Sequence, residues 1–189
     1  MKIPKKIFTI WISEKEMPEK MQECCKTHLL KGYEHKMITL DNCFKDSIYL
    51  QEVIQATKWI KAADFLRMYY LYNEGGIYVD CDMDILKPFD DLLDNDMFVC
   101  REDEKRIANS IIGAKKGHPL LREYLNKVES NFRGGGDMIF EPAERLFTDL
   151  VEGTYGEFGD VKIYPRGYFF PEEKIYTFHH FSRSWKDKK

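Results

Sequence analysis

The chain has 189 residues, of which 43% are hydrophobic and 32% are charged, and its formal net charge is −3. This length is sufficient for one domain with its own apolar core, and the composition is that of an ordinary globular protein. The slight negative balance argues against general nucleic-acid binding, which requires a basic surface.

The first half of the chain alternates buried strands with helices. The apolar run at residues 6–12 predicts a buried first strand, and Pro18 predicts the start of a helix over residues 19–30. A second strand is predicted at residues 33–40, followed by helices at 47–55 and 59–72. The Gly75-Gly76 pair then predicts a helix end and a turn into a central strand at residues 77–83.

The second half continues the same alternation with shorter elements. We expect a helical turn at residues 89–93, strands at 97–100, 107–114 and 161–164, and helices at 120–131 and 142–151. The glycines at 134–136 predict a flexible loop, which is either a linker or a lid over the substrate. Together these elements predict an α/β domain with a sheet flanked by helices.

Cysteine content and hydropathy indicate the cellular compartment. The five cysteines include no CxxC pair, and we interpret all of them as buried, unpaired thiols. No apolar run approaches the ~20 residues of a membrane helix, and the stretch at residues 7–12 is too short for the core of a signal peptide. We therefore expect a cytoplasmic protein.

Three carboxylates alternate along the end of the predicted central strand. Asp80, Asp82 and Asp84 have the spacing i, i+2, i+4, which on an extended strand would point all three to one side. Like charges are costly to bury, whereas at the mouth of a strand they provide oxygen ligands for Mg2+ or Mn2+. The pattern predicts a site for a metal ion that carries a phosphate-containing substrate, such as a nucleotide sugar. By the same alternation, Cys81 is expected to point into the core.

The segment DFLRMYYLYNEGGIYVDCDMDILKP, at residues 64–88, resembles the core of the DXD-containing glycosyltransferases of family 32. IPKKIFTIWIS near the N-terminus, IYPRGYFFP at residues 163–171 and HHFSRSW at residues 179–185 match further blocks of that family in the same order. The resemblance implies a GT-A fold with a Rossmann-like mixed sheet, formed by one domain over residues 1–189. A nucleotide-sugar half would occupy about residues 1–100, and an acceptor half with a closing tail about residues 101–189.

The resemblance also implies roles for residues of the central block. Asp82 would bind the metal, and Asp80 would contact the donor sugar or ribose together with the metal. Asp64 and Arg67 match the D-x-x-R of the family and would lie at the donor sugar, although an exposed helix ion pair is the alternative. Tyr78 would pack below the site, either as a donor contact or as part of the core.

Other donor contacts are expected outside the central block. Ile10 and Trp11, at the end of the first strand, match the position at which an aromatic ring stacks near the nucleobase, and Asn109 matches one that faces the sugar or acceptor. Ser184 and Trp185 would close over the nucleotide. Imidazole completes a metal shell that suits Mn2+, and His180 is the predicted metal ligand, with His179 second.

The resemblance implies a glycosyltransferase that retains the anomeric configuration and that uses Mn2+ or Mg2+ and a UDP- or GDP-sugar. The mechanism that the resemblance suggests is a front-face transfer in which the leaving phosphate helps to deprotonate the acceptor. The expected acceptor is a glycan or a lipid-linked glycan in capsule or other cell-surface polysaccharide synthesis. Residues 168–170 either belong to the apolar core or make peripheral contact with the inner membrane surface.

Two other functions stay open. One is a non-catalytic nucleotide-sugar-binding domain. The other is a nucleotidyl- or phosphotransferase, against which the absence of a Gly-rich loop after the first strand counts.

Overall fold

The computed structural model describes residues 1–132, 143–153, 156–170, 173 and 175–182. The elements follow the predicted order, except that a separate short strand comes after the central strand and a further strand, not predicted, lies near the C-terminus. The helices are α1 (Glu19–Lys26), α2 (Ile48–Gln55), α3 (Trp59–Glu74), α4 (Pro119–Asn131) and α5 (Ala143–Val151). The strands are β1 (Lys6–Trp11), β2 (Glu34–Thr39), β3 (Gly76–Val79), β4 (Met83–Ile85), β5 (Met97–Arg101), β6 (Ile107–Ala114), β7 (Lys162–Tyr164) and β8 (Thr177–His179).

Six of the strands form one mixed sheet in the order β2-β1-β3-β6-β5-β7. Strands β1, β2 and β3 are parallel, and β6 is antiparallel to both β3 and β5. The carboxyl ends of β1 and β3 therefore meet the start of β6 at one edge of the sheet. In open α/β sheets, ligands bind outside the carboxyl ends of the parallel strands, so this edge is the expected place for a site.

The apolar core occupies both faces of the sheet. Phe8 and Tyr78 pack on the face covered by α3 and α4, whereas their neighbours Ile7 and Ile77 pack on the opposite face. The opposite face is closed by an aromatic segment that includes Phe169. Phe169 and Phe170 are fully buried, which supports the core role for these two rings. Burial on both faces explains why β1 reads as a continuous apolar run.

The Gly75-Gly76 turn between α3 and β3 requires glycine, as predicted. Gly75 ends α3 with φ +70°, and a Cβ on Gly76, which has φ +130°, would lie 2.7 Å from the Lys6 carbonyl oxygen. Side chains are rarely tolerated at such φ values, and here the neighbouring backbone leaves no space for one. The turn therefore allows β3 to pass close to β1.

The central strand is shorter than predicted. It ends at Val79, and the chain turns through Cys81 and Asp82 before it resumes as β4. Strand β4 pairs with β8 in a separate two-stranded ribbon, in which Met83 lies opposite His179. The prediction that Asp80, Asp82 and Asp84 share one side of a continuous strand is therefore wrong, because the turn breaks the alternation.

The other predictions about the fold are tested to different extents. All five cysteines are unpaired and buried, and Cys81 lies in a small apolar cluster with Met21 and Cys25. The glycines at 134–136 lie outside the described residues. Among the described helices, none combines the length and the apolar character needed to cross a membrane. The main sheet takes strands from both sides of residue 100, and the division into a donor half and an acceptor half stays a prediction.

Candidate active site at the edge of the sheet

Helix α3 brings Asp64 and Arg67 into a buried network beneath the edge of the sheet. The Nη2 atom of Arg67 lies 3.0 Å from Asp64 Oδ1, and its Nη1 donates a hydrogen bond of 2.6 Å to the Asn109 carbonyl oxygen. The side-chain amide of Asn109 donates to the same oxygen of Asp64 at 3.1 Å. Asp64 and Arg67 are only 8% and 6% exposed, so the alternative of an exposed helix pair is wrong.

Asp80 follows β3 and joins this network. The Tyr78 hydroxyl donates to Asp80 Oδ1, and Arg67 Nη1 lies 3.4 Å from the same oxygen. The guanidinium of Arg67 also stacks over the Tyr78 ring, 4.5 Å from its centroid. Within the described part of the chain, the hydrogen bonds to this carboxylate end on Oδ1, which leaves Oδ2 available to another ligand. Tyr78 is thus both a core residue and a support for Asp80.

Asp82 lies in the turn between β3 and β4 and is held by the C-terminal segment. His179 Nε2 lies 3.1 Å from Asp82 Oδ1, and the backbone N–H of Ser182 donates to Oδ2 at 2.8 Å. Phe181 makes this second contact possible by adopting φ +50°, an uncommon value for a bulky residue, and its ring stacks on His179 at 4.2 Å between centroids. Phe181 was not predicted as part of the site, because a phenylalanine gives no indication of a positive φ.

A buried chain of hydrogen bonds supports the same turn from below. His28 Nε2 lies 2.7 Å from the Met83 carbonyl oxygen, and its Nδ1 lies 2.8 Å from the Thr9 hydroxyl. A carbonyl oxygen only accepts, so Nε2 carries the proton and Nδ1 accepts from Thr9. The Thr9 oxygen in turn accepts from His35 Nε2 at 3.0 Å. These polar residues were not predicted as part of the site, since isolated histidines on separate elements form no motif.

The carboxylates of the site have different proton affinities. Burial raises the pKa of Asp64 to about 6 and also raises the pKa of Asp80. In both cases the positive charge of Arg67 acts in the opposite direction and lowers the pKa. Burial alone would raise the pKa of Asp82 as well, but hydrogen bonds from His179 and the Ser182 N–H hold it below its usual range. Asp82 is therefore the carboxylate best suited to stay ionised as a ligand.

The predicted metal ligand His180 lies elsewhere. Its Nε2 is 2.8 Å from Asp84 Oδ2, whereas His179 takes the place beside Asp82. Successive residues of an extended segment point to opposite sides, so His179 at the end of β8 and His180 directly after it face different clusters. The prediction that His180 is the metal ligand, with His179 as the second choice, is therefore corrected: His179 lies beside Asp82. Asp84 lies on β4 and pairs with His180.

The remaining predicted residues are distributed as follows. Trp11 ends β1 at the same edge as Asp80; its ring is half-buried, and its Nε1 donates to the Lys15 carbonyl oxygen at 2.9 Å. Ile10 is 4% exposed and belongs to the core, and its carbonyl oxygen lies 3.1 Å from Cys81 Sγ. Only its backbone is therefore near this edge. Ser184 and Trp185 lie outside the described residues.

The arrangement fits a divalent cation. Asp80, Asp82 and His179 each place one ligand atom within 4.8 Å of the others, and Nδ1 of His179 is buried without a hydrogen-bond partner among the described residues. Oxygen and imidazole ligands together are typical of Mn2+ and related ions. Asp64 and Asp80 share the guanidinium of Arg67 and Asp82 adds a further carboxylate, so a cation would balance the excess negative charge.

Residues 5–99 match the family model described as a glycosyltransferase sugar-binding region containing a DXD motif. The chain is 31% identical over 136 residues to inositol phosphoceramide mannosyltransferase 3 of Schizosaccharomyces pombe, covering 67% of this chain and 37% of that protein. It is 27% identical over 202 residues to the initiation-specific alpha-1,6-mannosyltransferase of Candida albicans, covering 78% of this chain and 52% of that protein. This chain thus spans only about a third to a half of the length of these two relatives.

A solved structure named PaToxG glycosyltransferase superposes with a TM-score of 0.62 at 23% identity, covering 79% of this chain and 68% of that one. This likeness supports the fold, and the mixed sheet flanked by helices confirms the predicted GT-A-type α/β architecture. Residues 5–99, which match the family model, contain Asp64, Arg67, Asp80 and Asp82. The chain therefore belongs to the family of DXD-containing glycosyltransferases.

Proposed function

We propose that this chain is a metal-dependent glycosyltransferase that moves a hexose from a nucleotide-diphosphate sugar to a glycan or lipid-linked acceptor. The observation that carries the proposal is the convergence of Asp80, Asp82 and His179 beside the buried Asp64–Arg67 pair, at the edge where β1 and β3 end. Mannose is the first sugar to test, since the two relatives described above are named mannosyltransferases.

The charges of the site support a cation-bridged diphosphate. A diphosphate brought to Asp80 and Asp82 would meet two carboxylates, which repel it unless a cation lies between them. Asp82 is held in position by His179 and by the Ser182 N–H, and Asp80 by Tyr78 and Arg67. A bound Mn2+ or Mg2+ would neutralise the negative charge that develops on the departing nucleoside diphosphate.

Asp64 and Arg67 are proposed to orient the donor sugar. Asp64 Oδ1 is already bonded to Arg67 and Asn109, so this carboxylate is better suited to accept hydroxyl groups than to attack carbon as a nucleophile. We therefore propose a front-face transfer with retention. The bond from C1 of the sugar to the diphosphate oxygen breaks, a bond to the acceptor oxygen forms on the same face, and the acceptor proton passes to the leaving phosphate. A glycosyl group attached covalently to Asp64 or Asp80 during turnover, found by mass spectrometry, would contradict this step.

Trp11 is proposed to stack on the nucleobase, because its ring lies where β1 ends and is only half-buried. Base stacking of this kind contributes roughly 1–3 kcal/mol. Either uridine or guanosine provides the necessary flat face. The proposed setting is cell-surface polysaccharide synthesis at the cytoplasmic side of the membrane, because glycan and lipid-linked acceptors belong to that process.

The test is a panel of GDP-mannose, UDP-glucose and UDP-galactose, each with and without Mn2+, read by thermal stabilisation and by release of nucleoside diphosphate. We expect one donor to stabilise the protein and to be hydrolysed slowly, only with metal. Asp82→Asn should abolish both effects. Asp94→Asn is the matched control, since Asp94 is a surface carboxylate whose side chain is 87% exposed and pairs with the N-terminus.

The possible results separate the alternatives. Donor binding without hydrolysis, and without transfer to added glycans, would favour a nucleotide-sugar-binding domain. Release of a nucleoside monophosphate in place of the diphosphate would favour nucleotidyl or phosphoryl transfer. Equal activity of Asp82→Asn and Asp94→Asn would show that the reaction does not use this site.

A further inference from the structure

A second cluster of metal-ligating side chains lies on the ribbon behind the candidate active site. Cys24 of α1, Asp84 of β4 and His180, which follows β8, each place one ligand atom within 4.8 Å of the others. The shortest contact joins His180 Nε2 to Asp84 Oδ2 at 2.8 Å. The cluster shares no side chain with Asp80, Asp82 and His179.

The two clusters differ in chemistry. Asp80, Asp82 and His179 supply two carboxylates and an imidazole, whereas the second cluster supplies one thiol, one carboxylate and one imidazole. Sulfur and nitrogen ligands favour Zn2+ and similar ions, and three protein ligands with an open fourth position are typical of tetrahedral Zn2+. The hard ions Mg2+ and Mn2+ prefer the oxygen-rich cluster.

The burial of the second cluster suits a cation that enters from one side. Cys24 is 2% exposed and is the most buried member of the cluster, whereas the side chains of Asp84 and His180 are 29% and 21% exposed. Without a cation the thiol stays protonated, because burial and a hydrogen bond to Asp84 raise the pKa of Cys24 to about 12. Binding of a cation to the sulfur must therefore release this proton.

We propose that Cys24, Asp84 and His180 form a second divalent-cation site, selective for Zn2+-like ions and separate from the site at Asp80 and Asp82. The ligands come from three elements that are distant in sequence, so a bound ion would fasten α1 and the C-terminal segment to β4. The same segment supports Asp82, because the His180 backbone N–H donates to the Asp82 carbonyl oxygen at 2.9 Å. The cation would thus stabilise the turn that carries Asp82. The proposal does not depend on the proposed transferase activity.

The test uses Co2+ as an optical probe of the metal-free full chain. Thiolate coordination gives a sulfur-to-cobalt charge-transfer band, which a site made of carboxylate and imidazole does not produce. We expect the band to appear at one equivalent of Co2+, to bleach when Zn2+ is added, and to persist in Asp82→Asn. Cys24→Ser should remove it and weaken Co2+ binding at this site by at least about 100-fold, since even the loss of a supporting contact costs 10–100-fold in affinity.

Cys25→Ser is the matched control. Cys25 is the next residue of α1 and is also buried, but it lies in the apolar cluster with Met21 and Cys81. The band should be retained in Cys25→Ser and lost in Asp84→Asn, which leaves every thiol in place should Cys24→Ser fold poorly. The proposal is overturned if the wild-type chain shows no band, if the band survives in Cys24→Ser, or if it depends on Cys25. Because the readout is spectroscopic, a failure of this proposal is distinguishable from a lack of transferase activity.

Discussion

His179 Nε2 lies 3.1 Å from Asp82 Oδ1 and ties the C-terminal segment to the turn after β3. The contact joins residues that are 97 positions apart, and it gives the second carboxylate of the DXD motif a fixed orientation. Both side chains are 12% exposed, so the pair is shielded but still accessible from the edge of the sheet. A ligand at Asp82 would therefore also contact the segment that follows β8.

The two adjacent histidines should differ in their effect on metal activation. We expect His179→Gln to raise the Mn2+ concentration needed for half-maximal donor hydrolysis by about 10-fold or more, because an amide is a weaker ligand and a weaker support for Asp82. His180→Gln should change this concentration much less, since the His180 side chain faces Asp84 and acts on Asp82 only through the turn between them. The measurement is an Mn2+ titration of activity for both variants, and the reverse order of effects would contradict the assignment.

Substitutions of Asp64 and of Arg67 should differ in whether they mainly lower activity or mainly lower stability. In Asp64→Asn we expect donor hydrolysis to fall at least ~100-fold with only a small change in stability, because the amide fills the same space and burial already disfavours the charge. In Arg67→Met we expect the free energy of unfolding to fall by about 3–5 kcal/mol, because the buried Asp64 and the partly buried Asp80 lose their cation. Urea unfolding and hydrolysis rates check both, and equal destabilisation of the two variants would argue against the distinction.

The fold was largely predictable because apolar periodicity reports burial directly. Strand β6 was predicted with its observed bounds, and β1 and α3 were predicted to within two residues. The error at the end of β3 has a physical cause: Cys81 and Met83 are as apolar as strand residues, and both are buried in the turn and in β4. A strand and a buried turn cannot be distinguished by burial alone.

The site was predicted only where a local motif exists. Asp64, Arg67, Asp80 and Asp82 lie within 19 residues of sequence, on α3 and in the turn after β3. The choice between His179 and His180 depends on the register of β8 against β4, which is set by long-range pairing. The hydrogen bonds that His28 accepts from Thr9 and donates to Met83 join three separate segments of the chain, so no short pattern reveals them.

The close packing of Gly113 against Phe98 predicts a stability effect near the middle of the sheet. These residues lie opposite each other on β6 and β5, and a Cβ on Gly113 would lie 2.0 Å from Phe98 Cε1. We expect Gly113→Ala to lower the free energy of unfolding by about 3 kcal/mol through overpacking. In a Phe98→Leu background the cost should be smaller, because two of the three clashing ring atoms are absent. Urea unfolding of the four proteins checks this, and an equal cost in both backgrounds would show that the clash is not with the ring.

His28 should make the stability of the protein depend on pH. Burial lowers the pKa of His28 from 6.5 to about 4, against its hydrogen bond to the Met83 carbonyl. The unfolded chain therefore binds more protons than the folded chain between these values. The stabilising contribution is fully present above pH 6.5 and is lost as the pH falls toward 4, by roughly 3 kcal/mol in total.

The pH prediction is checked by urea unfolding of the wild-type chain and of His28→Gln between pH 7.5 and 4. His28→Gln should lower stability at pH 7.5, because the Thr9–His28–Met83 hydrogen bonds are disturbed, and should show a shallower decline on acidification. His35, whose pKa burial also lowers, titrates in the same direction in both proteins, so the difference between the two curves isolates His28. Parallel curves would mean that His28 is not held neutral in the folded chain. The turn that carries Asp82 would then be supported by contacts other than the Thr9–His28–Met83 hydrogen bonds.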